Sequence, residues 1–376
     1  MLAFSPVAWR RVAGGGGAAW APPQVGGQNP TLHADFANNQ YWALAAIQPS
    51  FAAWMTAIGA TYSRASTATY LQGGVVKTAA ANTARFPTTL AGAPTGLRLT
   101  GAAINLHLQS SIGSSIASYT TANGTLTANV GPDPTGGSAA ASFILNTASL
   151  PHNFFLSAGI NITGGQTYTS SVFIKPTGPN IYDVVLDPNN ALTDYATFNL
   201  HTGVVNSNVG TGVGAITALA GGWFLISVTA TLAAGGNVVA TVNGWNIASG
   251  NRSFAGDGVS GWNVWGLQYT NTAFQADYIP TTTATVTQAA DSFSFPFTQT
   301  VYSALAGTNA LQWSGTSDQR ILDSSGQTPI FINLSTQFAV FGGSVLLGGP
   351  TLATDVSNPH KTMTAGNTTN VSTTSD

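Results

Sequence analysis

The chain has 376 residues, and only 6% of them are charged, against about 25% in ordinary soluble domains. All twelve acids are aspartate, the bases are seven arginines and three lysines, the formal net charge is −2, and there is no cysteine. This excludes disulfides, thiolate metal sites and a cysteine nucleophile. It leaves glycosidase chemistry only to an aspartate pair and denies nucleic acid a basic surface to track.

Residues 1–28 stand apart. An apolar-basic start (Phe4, Val7, Trp9, Arg10, Arg11) runs into Gly14–Gly17, then Trp20, Pro22, Pro23, Gly26 and Gly27. Such glycine density cannot hold a packed element, so the segment reads as an extended arm with aromatic anchors. It is either a plain tail or a peptide that orders on a partner. Its arginines follow the apolar residues, the reverse of a secretory signal. No stretch of about 18 apolar residues offers a membrane span.

The spacing predicts one short helix over 50–59. Ser50 caps it, Phe51, Trp54, Met55 and Ile58 share a face, and Gly59 sits at the left-handed C-terminal position. From about 61 onward the period becomes two. Ile104, Leu106 and Leu108 alternate with Asn105, His107 and Gln109, the period of a strand. Tyr168, Ser170, Val172 and Ile174 form one face of another strand, and Ile226, Val228, Ala230 and Leu232 one face of a third. Ala196, Phe198 and Leu200 lead into His201-Thr202-Gly203, read as a three-residue hairpin loop. Pro280 and Thr281–Thr285 read as a linker. Short strands joined by Gly, Pro and Asn turns, with little charge to furnish surface helices, indicate an all-β chain of β-sandwich or jelly-roll domains. The expected division is an arm at 1–28, a β-rich leading segment at 29–105 containing the helix, a jelly roll at 106–286, and a β-rich segment at 287–376, either an incomplete second sandwich or a reduced one.

Few residues suggest chemistry. The five histidines are scattered without metal-ligand spacing. Asp183, Asp187 and Asp194 with Asn189 and Asn190 could offer oxygens to calcium, although Asp-Pro-Asn-Asn is also ordinary turn chemistry. There is no Gly-x-Ser-x-Gly elbow and no phosphate-binding loop. No catalytic residue, metal or cofactor is assigned. Sugar recognition needs a flat apolar face with hydrogen-bonding groups at its rim. Trp245 with Asn243 and Asn246, Trp262 with Asn263 and Asp257, and Tyr182 with Asp183 have that makeup. Trp262 and Trp265, three apart on one strand, point to opposite faces, so at most one is expected in a core. Trp223 precedes a clean alternating strand and reads as structural. Arg64, Arg85 and Arg98 fall in one segment, as buried or intersubunit hydrogen-bond donors or as ordinary exposed side chains.

Three stretches together resemble a family of phage tail and fibre proteins with a carbohydrate-binding-like (concanavalin-like) jelly roll: TYSRASTATYLQGGVVKTAAANTARF (61–86), GLRLTGAAINLHLQS (96–110) and GLQYTNTAFQADYIPTTTATVTQAADSFSF (266–295). Between them GQTYTSSVFIKP, ATFNLHTGVV and GGWFLISVTATLA follow in the family's order. The resemblance covers about 30–290 and lies in the ordered set. The family often has Glu and Arg where Thr100 and Ala103 stand here, and Glu in place of Tyr269. The resemblance implies a virion structural protein at the particle surface, a tail fibre or spike subunit. Its arm (Phe4, Trp9, Arg10, Arg11, Trp20) docks on tail, baseplate or capsid proteins, and its β domains recognise host-surface glycan. It implies a homo-oligomer, a trimer by analogy, and no enzyme, nucleic-acid partner or membrane span. Two alternatives stay open: a head fibre, decoration or collar protein without glycan binding, and a tailspike depolymerase.

Overall fold

The computed structural model describes residues 32–294 except 37–38, 44–45 and 247–249, and outside that range only the backbone of short strands such as Leu2–Phe4 and Ser344–Gly348. The chain is all-β apart from one α-helix and three 3-10 turns among the described residues. None of these is long and apolar enough to cross a membrane. The helix, α1, spans Phe51–Ile58 as its spacing predicts. Ser50 Oγ accepts the Ala53 N–H at 3.1 Å, and Gly59 adopts φ 67°, where a side chain would be strained. Trp54 and Ile58 are its buried residues.

Two antiparallel sheets form a β-sandwich. Sheet A runs in the order Gly124–Thr127, Ala141–Leu145, Gly261–Thr270, Gln166–Thr177, Phe224–Leu232 and Val213–Ala218, and Ala103–Asn105 links Gly261–Thr270 to Val286–Gln288. Sheet B runs Val204–Asn208, Ala196–Asn199, Asp183–Asp187, Thr241–Trp245, Asn153–Leu156 and Tyr119–Ala122. The chain passes repeatedly from one sheet to the other, as in a jelly roll. The predicted faces Tyr168/Ser170/Val172/Ile174 and Ile226/Val228/Ala230/Leu232 point between the sheets, where they meet Phe143, Phe154, Phe198 and Trp262.

Sheet A is buried on its other face as well. Phe173, Leu225, Trp265 and Tyr278 pack there under Val76 and Leu71 of the hairpin Ala68–Gln72/Val75–Ala79, with the Trp265 and Tyr278 rings 4.4 Å apart. This corrects the expectation that only one of Trp262 and Trp265 is core. They do point to opposite faces, but both faces are covered. A register shift between Ser171 and Phe173, beside Gly266 at φ 64°, adjusts the strand between the two tryptophans and Tyr269. Trp223 is buried in this outer layer.

Two further expectations change. The Ile104/Leu106/Leu108 stretch is a strand only over Ala103–Asn105, and its more deeply buried face is the polar one: Asn105 and His107 are fully buried, while the Ile and Leu side chains are half-buried. The reason is hydrogen bonding. Asn105 donates to the Ile279 carbonyl at 2.7 Å and accepts the Tyr269 and His107 N–H groups at 3.1 and 3.0 Å, stitching the exit segment to the last long strand where the ladder ends. The hairpin after Ala196–Asn199 closes through four residues, since Asn199 pairs with Val204.

The leading and exit segments are joined by charge. Arg64 donates to Asp291 at 3.0 Å, Arg85 reaches both Asp291 and Asp277, and Arg98 grips Asp277 through Nε at 3.0 Å and Nη2 at 2.9 Å. The Arg64, Arg85 and Asp291 side chains have no exposed surface. Burial opposes ionisation of Asp291, but hydrogen bonds from Tyr62, Arg64 and Thr100 and the Arg85 charge outweigh it and hold the carboxyl below its ordinary value. Ser292–Ser294 then pairs with Thr61–Ser63, and Phe293 stacks on Trp54 of α1. The expected boundary at 286/287 therefore falls inside the strand Val286–Gln288, and the residues just beyond it belong with the leading segment.

Two outcomes follow from this packing. Asp291→Asn leaves buried guanidinium charge uncompensated and is expected to cost about 3–5 kcal/mol in urea unfolding; a loss below about 1 kcal/mol would contradict the ion network's role. The ring nitrogens of His107 are buried with no well-formed hydrogen bond, and burial, against a weaker opposing contact with the Leu108 backbone, lowers its pKa from 6.5 to about 3. Between those values the unfolded chain binds a proton that the folded chain refuses. Stability should thus fall as pH drops through that window, by up to about 1.4 kcal/mol per pH unit, and His107→Phe should flatten this limb.

Candidate functional site

The outward face of sheet B is the described surface that best combines aromatic and neutral polar groups. Val184, Leu186, Val242 and Phe198 point into the core, so the alternate residues of the same strands point out. The pairing aligns a row across five strands: Asn153, Asn243, Val185, Thr197 and Ser207. One step along, Trp245 lies opposite Asp183. Gly244 between Asn243 and Trp245 faces inward, where a Cβ would come within 2.9 Å of Phe254 and 3.4 Å of Trp262.

Val185 and Asn243 form the buried floor of this face, and half-buried Trp245, Tyr195, Asn153 and Arg252 stand around it. The Trp245 and Tyr195 rings are 6.3 Å apart and inclined at 51°. Asn243 donates to Thr241 Oγ1 at 2.8 Å and receives Arg252 Nη1 at 3.4 Å. Asn153 Oδ1 is buried without a protein partner, the kind of acceptor an ordered water satisfies. Burial raises the carboxyl pKa values of Asp183, which accepts the Leu200 N–H, and of Asp187, which accepts from Leu192 and Asn189. These two acids stand four residues apart on one strand, about 13 Å by strand rise, beyond the roughly 5–9.5 Å of a glycosidase pair.

The sequence-predicted residues separate here. Trp245 lies on this face. Tyr182 sits at the same end of the sandwich with its ring 5.3 Å from Phe254, turned from the outward face and partly buried against the core. Asp257 is in the adjoining loop, held by Ser260 Oγ at 2.5 Å and Asn180 Nδ2 at 2.7 Å. Against slight desolvation, these bonds and the Val259 and Ser260 N–H groups hold its carboxyl below the ordinary value. Trp262 is corrected: it has no exposed surface, stacks on Phe143 at 5.8 Å and donates its indole N–H to the Tyr182 carbonyl at 2.9 Å. It holds the sandwich together and is closed to ligand. Asp194 accepts the Thr211 N–H and hydroxyl, and among the described residues no three His or acidic side chains gather around a common point. Phe4 ends a backbone strand running parallel to Leu32–Asp35, while Trp9, Arg10, Arg11 and Trp20 lie outside the described residues. Tyr195, Asn153 and Arg252 were not anticipated; strand parity, counted from the core residues, would have placed Asn153 outward.

No protein-family model matches the chain, and no curated protein matches it. Among solved structures it is similar to the CBM22-1 and GH10 modules of the Clostridium thermocellum endo-1,4-β-D-xylanase 10B in complex with xylohexaose, at 18% identity and a TM-score of 0.26. The likeness covers 43% of this chain and 28% of that one. At that score it carries no argument about ligand or activity.

The two tryptophans should behave oppositely. Trp262→Ala is expected to cost about 3–5 kcal/mol of folding stability, and Trp245→Ala less than about 1 kcal/mol. Equal losses in chemical unfolding would contradict their assignment to core and surface.

Proposed function

We propose that this chain is a non-enzymatic structural subunit of a phage virion, a tail fibre or spike protein. In this reading its first 28 residues attach it to the particle, and the outward face of sheet B binds host-surface glycan around Trp245. One observation carries the glycan reading. A partly exposed indole stands beside the Tyr195 ring with Asp183 opposite it in the ladder, an apolar plane with a hydrogen-bonding carboxyl at its edge, as sugar recognition uses. The virion reading draws on the family resemblance. Its three stretches, distant in sequence, meet through Arg64 and Arg85, Arg98 and Thr100, and Asp277 and Asp291. A homo-oligomer, a trimer by that same resemblance, would cover sheet edges that the single chain leaves open.

Two experiments test the two halves separately. On a glycan array the full chain is expected to bind, and Trp245→Ala to lose about tenfold or more in affinity; a blank array favours a decoration or collar protein. Shortening of host polysaccharide on incubation would favour a depolymerase. Deletion of residues 1–28 should abolish incorporation into particles while the sandwich keeps its melting transition; normal incorporation would refute the arm's role.

A further inference from the structure

A second site lies on the opposite side of the sandwich. Between the leading segment and the outer face of sheet A is a cleft of about 510 Å³, within the usual size of small-molecule sites. Phe173, Leu225 and Tyr278 give it an apolar, partly aromatic lining, and threonines of the 87–95 loop and Thr217 supply neutral polar groups. Arg98 and Asp277 also line it.

The charge here does not balance. The joined chain Arg64–Asp291–Arg85–Asp277–Arg98 holds three cations and two anions. The side chains of Arg64, Arg85 and Asp291 are 0% exposed and that of Asp277 10%, whereas that of Arg98 is 37% exposed. The surplus positive charge is therefore presented to solvent at Arg98, on the lining of the cleft. Asp277 engages Nε and Nη2 of Arg98, leaving the third nitrogen of the fork outside that pair. Asp133 forms no ion pair with these arginines; its carboxylate accepts from the Thr135, Gly137 and Ala139 N–H groups.

We propose that this cleft binds a small carboxylate whose ring has an apolar face. Its carboxylate pairs with the surplus charge at Arg98, and its ring lies against Phe173, Leu225 and Tyr278. An acidic sugar and an aromatic acid share that chemistry. The site is independent of Trp245: it lies on the other sheet, and its selectivity comes from a cation rather than a hydrogen-bonding carboxyl.

The test uses the full chain with D-galacturonate, D-galactose and benzoate as probes, read by ligand-observed NMR titration. Galacturonate or benzoate is expected to bind and galactose not to bind; which acid binds more tightly separates the two sources. Arg98→Gln should weaken binding about tenfold or more. Thr217→Trp, which fills the cleft without touching the ion network, should abolish it, and Trp245→Ala should leave it unchanged. Raising salt from 50 to 500 mM should weaken binding through the charge. Absence of binding by both acids, or binding unaltered in both Arg98→Gln and Thr217→Trp, would overturn the proposal. Should Arg98→Gln fail to fold, the Thr217→Trp and salt measurements decide it alone. Loss of binding in Trp245→Ala would place the acid on sheet B and refute the second site.

Discussion

The buried line of charge from Arg64 to Arg98 holds the described structure together. Taking guanidinium and carboxylate groups out of water is costly, and such a network persists only when nearly every partner is present. Here the partners come from opposite ends of the sandwich sequence: three arginines before its first strand and two aspartates after its last long strand, Gly261–Thr270. Thr100 adds an N–H at 2.8 Å and a hydroxyl at 3.0 Å to Asp291, and Tyr62 adds its own hydroxyl. In a chain with so few ionisable groups, concentrating five of them at one seam fixes where the leading and exit segments meet. It specifies that meeting more sharply than apolar contact alone, which is non-directional.

That seam makes the molecule three layers deep on one side. With the exit segment held against the leading segment, the 68–79 hairpin lies over the outer face of sheet A, and Phe173, Leu225 and Trp265 become a second core. Sheet B is covered differently: Val185, Asn243 and Thr197 on its outer face are buried, while Trp245 and Tyr195 beside them stay partly exposed. The asymmetry divides the roles of the sheets: one anchors the sandwich to the rest of the chain, and the other presents a polar-aromatic surface. The cleft beside Arg98 follows from the same packing, because it is the space left where the 87–95 loop and the outer sheet do not close on each other.

Periodicity served well where a strand lies between two sheets. Tyr168 to Ile174 and Ile226 to Leu232 alternate because one face is core, and both faces were legible as written. It misled at Asn105 and His107, where the buried face is the polar one. A side-chain amide can replace missing ladder hydrogen bonds, and its value depends on which strand end lies beside it. Composition likewise marked Trp245 and Trp262 as equals, each flanked by asparagine. Burial then separated them: Trp262 lies between the sheets against Phe143, and Trp245 stays partly exposed on the outer face.

The sequence by itself determined the all-β class, the capped helix at 51–58 and the near-absence of charge, because these depend on local backbone preference and on residue type. Tertiary structure alone decided which arginine met which aspartate, which side of sheet A was covered, and which tryptophan stayed at the surface. Those outcomes depend on pairing between residues about 180 to 230 positions apart, and no local pattern encodes a partner at that distance.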